Sequence, residues 1–263
     1  MFLTIRLLGV SLRSPEIVAW NKVRLGVEVL DRVLPSGVYR NSLIILAGPG
    51  GAGKSVLVAH MTKALMEREE PVIYVALDDD PRTVLQNYIS FKIDVAQLIK
   101  RELLMIIDCF SYRLGHPRPA VNGVIREVEP DELERLPYTI IDVVLEKELR
   151  GRGLVVVDSL NELLLLYNEK TTVEVLRKLR ALIAKGEGIL VFATLHTSTD
   201  DQQKFLRSIE HLVDGVIEVW VTDETGPGDS AVRKLMVRKM KGVHHVSRPI
   251  RFYVDAEGPK LIE

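Results

Sequence analysis

The sequence predicts an α/β fold: a mostly parallel central sheet flanked by helices, closed on one side by an antiparallel C-terminal extension. Three observations predict it. Six short apolar runs are near-continuous in hydrophobicity rather than alternating, as strands buried on both faces must be. Helical patterns lie between them, so strand–helix–strand units repeat. The first run, Ser42–Ala47, passes through a glycine-rich bend, "GPGGAGKS", into a helical pattern.

In chain order the expected strands are Ser42–Ala47, Val72–Leu77, Leu103–Cys109, Gly153–Asp158, Ile189–Leu195 and Gly215–Val221. Helices are expected over Lys54–Arg68, Arg82–Ser90, Tyr138–Leu149 and Thr171–Ala184. The last of these places Val173, Leu176, Leu179 and Ile183 on one face. Beyond Gly215 the pattern changes. "AVRKLMVRKMKG" and "RPIRFYVD" read as strands flanking a turn near Gly242, which predicts the antiparallel edge. Residues 111–137, with four prolines and scattered charges, are expected to be the longest loop or insertion. Residues 1–22 read as an N-terminal extension, a strand or linker packed on a single domain of residues 23–263.

Composition narrows the function classes. The chain has 263 residues, 47% of them apolar, enough for a sizeable core. Lys plus Arg number 35 against 36 Asp plus Glu, so no whole-chain charge drives it to nucleic acid or a membrane. The single cysteine, Cys109, sits in an apolar run and is expected to be a buried thiol in a reducing compartment. The opening "MFLTIRLLGVSLR" is short, broken by Arg6, and lacks a small-residue cleavage site, unlike a signal peptide. No apolar run reaches the roughly 18 residues a spanning helix needs. A cytoplasmic protein without membrane insertion is expected.

Gly48, Gly53, Lys54 and Ser55 fit G-x-x-x-x-G-K-[ST] between an expected strand and an expected helix. Gly48, Pro49, Gly50, Gly51, Ala52, Gly53, Lys54, Ser55 and Val56 form a loop whose backbone N–H groups, all but that of Pro49, which has none, are placed to wrap phosphates at a helix N-terminus. Lys54 would reach the outer phosphates, and the Ser55 hydroxyl would ligate Mg²⁺. ATP with Mg²⁺ is the expected ligand pair. The second metal contact is an acid closing a buried strand, and "GLVVVDSL" offers Asp158.

"IYVALDDDPRT" puts Asp78, Asp79 and Asp80 at one strand end. Asp80 before Pro81 reads as a helix N-cap. Capping does not explain two further acids whose charges repel there. At the C-terminal end of a parallel strand they line the ligand crevice, where a carboxylate can orient or deprotonate the attacking water. For the Asp78/Asp79 pair both readings stay open. His196 ends another expected strand and is a candidate γ-phosphate sensor, with Thr194 and Thr197 as rivals. Tyr167, Trp20 and Trp220 read as packing residues.

From about Val23 to the C-terminus the chain resembles the KaiC-like branch of RecA-fold P-loop ATPases, the single-domain versions common in archaea. The resemblance runs through "LGVEVLDRVLPSGVYRNSLIIL", "YVALDDDPRTVLQNYISFKIDVAQL", "LLMIIDCFS", "VVVDSLNELL" and "VRKMKGVHHVSRPIRFYV". It implies phosphate and Mg²⁺ binding by residues 48–55, a magnesium acid at Asp158, and paired catalytic acids at Asp78 and Asp79, where the family has glutamates. It also implies that Lys239 and Lys241 stand at the family's K-x-R pair, which reaches the nucleotide of a neighbouring subunit. Asp in place of Glu is one methylene short, and Lys241 in place of Arg loses the planar fork. Pro35 and Ser36 replace a glycine pair, and "FKID" lacks the family's glycine and tryptophan.

The resemblance therefore implies a Mg-dependent ATP binder, slow or conditional in hydrolysis, acting as an oligomeric regulatory switch with ATP at subunit interfaces or toward a protein partner. Two alternatives stay open: a DNA-repair accessory of the RadA-paralogue type, and a non-hydrolysing, FlaH-like partner of a motor complex. Arg233, Lys234, Arg238, Lys239, Lys241, Arg248 and Arg251 form a basic run. Phe252 and Tyr253 follow it rather than interleave with it, which argues against a base-stacking DNA platform.

Overall fold

The computed structural model describes residues 21–115 and 119–262. The expected N-terminal extension lies outside the described residues apart from its last two positions, and Trp20 lies outside them as well. In chain order the elements begin with β1 (Lys22–Val23), α1 (Glu28–Val33), β2 (Val38–Tyr39), β3 (Leu43–Gly48), α2 (Lys54–Met66) and β4 (Val72–Ala76). Next come α3 (Pro81–Ser90), α4 (Val95–Lys100), β5 (Leu104–Asp108), β6 (Val124–Glu127), α5 (Leu136–Glu146) and β7 (Leu154–Asp158). The chain closes with α6 (Leu160–Leu166), α7 (Glu169–Lys178), β8 (Leu190–His196), α8 (Asp200–Ile209), β9 (Gly215–Thr225), β10 (Ala231–Met240), β11 (Ile250–Asp255) and β12 (Gly258–Ile262).

Among the described residues one ten-stranded sheet has the order β12-β11-β10-β9-β3-β8-β7-β4-β5-β6. From β9 to β6 every pairing is parallel. The pairings β9–β10, β10–β11 and β11–β12 are antiparallel, as the C-terminal pattern predicts. β1 and β2 make a separate two-stranded ribbon. Strands β3, β4 and β5 are buried at every position, the cause of their unbroken apolar runs. Helices α1, α2 and α3 cover one face, packing on Leu46, Tyr74 and Phe192. Helices α5 to α8 cover the other, packing on Ile45, Val75 and Val157.

The structure corrects two expectations. The segment 111–137 is not simply a loop. It holds the edge strand β6, parallel to β5, and short 3₁₀ turns over Ser111–Leu114 and Pro130–Arg135. Partial exposure on both faces gives β6 no hydrophobic signature. The helix expected over Thr171–Ala184 is α at Glu169–Lys178 and then π-helical through Leu179–Gly186, keeping Leu179 and Ile183 in the core.

Cys109 is buried as expected, and burial pushes its thiol well above the ordinary value. Among the described residues no helix is long and apolar enough to cross a membrane.

Asp80 caps α3. Its carboxylate accepts the Arg82 N–H at 2.9 Å, the Thr83 N–H at 3.4 Å and the Thr83 hydroxyl at 2.8 Å. Replacing it by Ala is expected to lower unfolding free energy by about 1 kcal/mol, with nucleotide affinity unchanged. Urea titration beside a nucleotide titration checks this, and an affinity loss would place Asp80 in the site rather than at a cap.

Candidate functional site

All the expected site residues except Lys239 and Lys241 collect at the C-terminal ends of β3, β8, β7 and β4. β3 ends at Gly48, and the chain turns through Pro49–Gly53 into α2, whose first helical residue is Lys54. Two glycines of the motif are fixed by the fold itself. A Cβ on Gly48 would lie 2.1 Å from the Val219 carbonyl oxygen of β9, so the neighbouring strand leaves no room. Gly53 caps α2 at φ 96°, and a Cβ there would meet Arg233 Cδ at 3.3 Å. Around Gly50 and Gly51 an added Cβ would meet nothing within 4 Å, so the loop is open where a ligand would approach. The loop is tied to the end of β8: the Thr197 N–H donates to the Gly48 carbonyl at 3.1 Å, and the Gly50 N–H donates to Ser198 Oγ at 3.2 Å. The first N–H groups of α2 have no acceptor within the helix. Together they form a concave set of donors at a helix N-terminus, which suits a phosphate.

Lys54 is buried and folds back over this loop. Its ammonium donates to the carbonyls of Gly48 at 2.8 Å and Pro49 at 3.0 Å, and lies 3.1 Å from His196 Nδ1. Burial pulls its pKa down to about 8, against the raising fields of Asp158 and Asp78. With Lys54 charged, Nδ1 is the acceptor and the imidazole proton belongs on Nε2. Nε2 faces Asp78 Oδ2 at 3.5 Å. Lys54, His196 and Asp78 thus form one polar chain across three strand ends.

Burial alone pushes the Asp78 carboxyl up, but contacts from His196 and Ser159 outweigh it and leave the pKa below the ordinary value. Asp78 Oδ1 is nevertheless buried without a hydrogen-bond partner of normal geometry. Asp79 is exposed and behaves in the opposite way: partial burial, Asp158, Asp78 and Asp80 all push its pKa up. The pair is therefore unequal, one acid held as an anion and one biased toward the proton.

Asp158 ends β7. Its carboxylate accepts the Tyr74 hydroxyl at Oδ2 and the Thr194 hydroxyl at Oδ1, and its carbonyl accepts the Leu77 and Asp78 N–H groups at 2.8 and 3.1 Å. Thr194, a rival for the sensor role, is thus engaged with Asp158, while His196 touches Lys54. The oxygen donor set fits magnesium: the Ser55 hydroxyl opens α2, and the Asp158 carboxyl oxygens are hard ligands at the end of β7. Ser55 and Asp158 would hold the ion.

Sequence reasoning missed Tyr74, Asn161 and Arg113 and read Arg233 only as part of a basic run. Tyr74 supports Asp158. Asn161 accepts the His196 N–H at 2.7 Å and donates to its carbonyl at 3.2 Å, fixing the end of β8. Arg233 lies against Gly53 with its Nε buried and unpartnered. Arg113, from the 111–137 segment, pairs with Glu162 and donates to the Leu77 carbonyl at 3.3 Å, just before Asp78. Only Asn161 carried a signal, as a polar residue one turn after "VVVDS".

Lys239 and Lys241 are not brought to the loop of their own chain. The Lys239 ammonium donates to the Glu210 carbonyl, and the Lys241 ammonium lies 3.8 Å from Asp214. Asp214 accepts the Leu43 N–H at 3.1 Å and so marks the start of β3, five residues from Gly48, or about 17 Å along the strand. Tyr167 donates its hydroxyl to the Pro130 carbonyl, and Trp220 is half-buried on β9, both as packing residues.

A phosphate-shaped loop after the central strand of a mostly parallel sheet, with an acid ending a nearby strand, defines a RecA-superfamily nucleotide-binding protein. Residues 23–263 match the family described as ATPase: KaiC, and the chain belongs to that family. A UPF0273 protein of Aeropyrum pernix is 26% identical over 242 residues, covering 90% of this chain and 92% of the relative. A UPF0273 protein of Methanocaldococcus jannaschii is 26% identical over 239 residues, covering 90% and 94%. In fold the chain is similar to the crystal structure of a KaiC-like protein from Pyrococcus horikoshii, with TM-score 0.70 and 20% identity over 93% of this chain and all of that one.

A pKa of about 8 at Lys54 gives nucleotide binding a pH dependence. Phosphate prefers the ammonium form, which is lost as pH rises through that value. Affinity for ADP is expected to be flat below pH 7 and to fall about tenfold from pH 7 to pH 9. Calorimetric titration across that range checks it, with Lys54→Ala showing weak binding and no such slope.

Proposed function

We propose that the protein binds Mg²⁺-ATP at residues 48–56, hydrolyses it slowly, and uses the bound nucleotide as a switch for assembly with further copies of itself. The observation carrying this reading is the Lys54–His196–Asp78 chain, which joins the phosphate loop to a strand-end acid. Magnesium, when bound, supplies neutralisation of charge on phosphate oxygens. Lys54 exchanges its contacts with the Gly48 and Pro49 carbonyls for phosphate oxygens. That exchange removes the cation from His196 Nδ1 and frees the ring to face the terminal phosphate. Asp78, held anionic, accepts a proton from the attacking water or orients it.

Slow turnover follows from the same residues. Aspartate is one methylene shorter than the family's glutamate, and Asp78 is further held by His196 and Ser159. A misplacement of about 1 Å costs on the order of 100-fold. The assembly part rests on Lys239 and Lys241, which lie at the far end of β3, away from the loop of their own chain, and which we read as reaching a neighbour's nucleotide. ATP at subunit interfaces is the arrangement this supports. A protein partner acting through the same surface, including the non-hydrolysing motor-partner version, is the alternative to self-assembly.

Under saturating Mg²⁺-ATP, Asp78→Ala/Asp79→Ala protein is expected to lose turnover by at least tenfold while retaining nucleotide affinity. Unchanged turnover would remove the pair from catalysis. Size-exclusion chromatography with a non-hydrolysable ATP analogue is expected to show a larger species, lost in Lys239→Ala/Lys241→Ala protein. A monomer under all conditions, with DNA affinity falling steeply with salt, would favour the repair-accessory reading instead.

A further inference from the structure

We infer that Tyr74 is a positioning residue for magnesium, holding Asp158 in the one orientation from which its carboxylate faces the phosphate loop. This rests on the nucleotide reading above and adds a residue to it. Tyr74 lies on the inner face of β4, where its neighbours on the same face are Val72 and Ala76. An aliphatic or phenyl side chain would satisfy that core. The hydroxyl is what differs, and it donates to Asp158 Oδ2 on the adjacent strand β7. From the other side, Thr194 on β8 donates to Oδ1.

Each carboxylate oxygen carries two lone-pair sites. With one site on each oxygen taken by a strand neighbour, the plane of the group is fixed and the remaining sites are left for the crevice. A carboxylate with free rotation would have to be ordered at the moment of metal binding, at the expense of affinity.

The support extends behind Tyr74. Its ring meets Tyr88 of α3 edge-on, with centroids 6.3 Å apart, and the Tyr88 hydroxyl lies 2.7 Å from Thr62 Oγ1 on α2. The helix that begins with Lys54 and Ser55 is thereby packed against the strand that aims Asp158.

The test is a magnesium titration with a binding readout. Affinity for a non-hydrolysable ATP analogue is measured in wild-type and Tyr74→Phe protein, first in EDTA and then at rising Mg²⁺. The expected result is equal affinity within twofold in EDTA and a magnesium midpoint raised about tenfold in the variant. Thr62→Val, which removes only the hydroxyl partner of Tyr88, should leave the midpoint unchanged.

An unmoved midpoint in Tyr74→Phe overturns the inference. So does an equal loss in EDTA and in Mg²⁺ accompanied by a fall in Tm, which would make Tyr74 a packing residue only. If Tyr74→Phe does not fold, Thr194→Val removes the donor to the other oxygen and is held to the same outcome. Wild-type protein that takes up no nucleotide in either condition removes the nucleotide reading, and this inference with it.

Discussion

The Lys54 ammonium is buried at the mouth of the sheet, where the strand ends of a parallel array converge. Two carbonyls and one imidazole nitrogen hold it, with no carboxylate in direct contact among the described residues. Burial of an unpaired cation is costly, and the depressed pKa is the sign of that cost. The fields of Asp158 and Asp78 reduce it without cancelling it. The loop carbonyls that hold Lys54 are on hand because Gly48 packs against the β9 backbone and Gly53 adopts a left-handed turn. The arrangement is therefore ready for an anion: a phosphate would supply the missing counter-charge and the acceptors together.

The three aspartates show how sequence neighbours divide the work. Asp80 points back into the turn of its own helix. Asp78 points inward, against His196 and beside Ser159. Asp79, between them, is exposed, and its anion is disfavoured first by partial burial and then by the charges of Asp158, Asp78 and Asp80. The bend that follows β4 separates Asp78 from Asp79, and the helix start separates both from Asp80. The repulsion noted in the sequence is real, and it falls chiefly on Asp79, the acid that water can reach.

What was legible in the sequence was local. The parallel strands announce themselves because burial on both faces removes any polar position, and the phosphate loop because its spacing is tied to a strand and a helix. The Asp80 cap needed only Pro81 beside it. β6 was missed because it is four residues long at an edge. α8 was missed although Thr199 and Gln202 form a capping box, a signal in plain view. Asn161, Tyr74 and Arg233 were not assigned to the site for another reason. Each acts on a residue brought close by the sheet order: Tyr74 lies 84 positions from Asp158, and Asn161 lies 35 from His196. Strand order is not written in composition or periodicity, so no scan of the chain pairs these residues.

The far end of β3 carries a charge imbalance of its own. Asp214 is buried and accepts from Arg180 at 2.8 and 3.2 Å, while Lys185 lies 3.1 Å from it and Lys241 3.8 Å. Three cations share one carboxylate, and Lys239 stands beside them. Burial lowers the pKa of Lys185 and of Lys239; neighbouring cations add to that, and Asp214, with Glu210 at Lys239, works against it without cancelling it. A cluster in which positive groups depress one another is under-neutralised, and an incoming anion would relieve it. The phosphate loop presents the same deficit at the opposite end of the same strand. In the assembly proposed above, one nucleotide would meet both deficits, its phosphates gripped by the loop of one copy and faced by the lysines of the next. Nucleotide and neighbour would then stabilise each other's binding, because each supplies charge the other lacks.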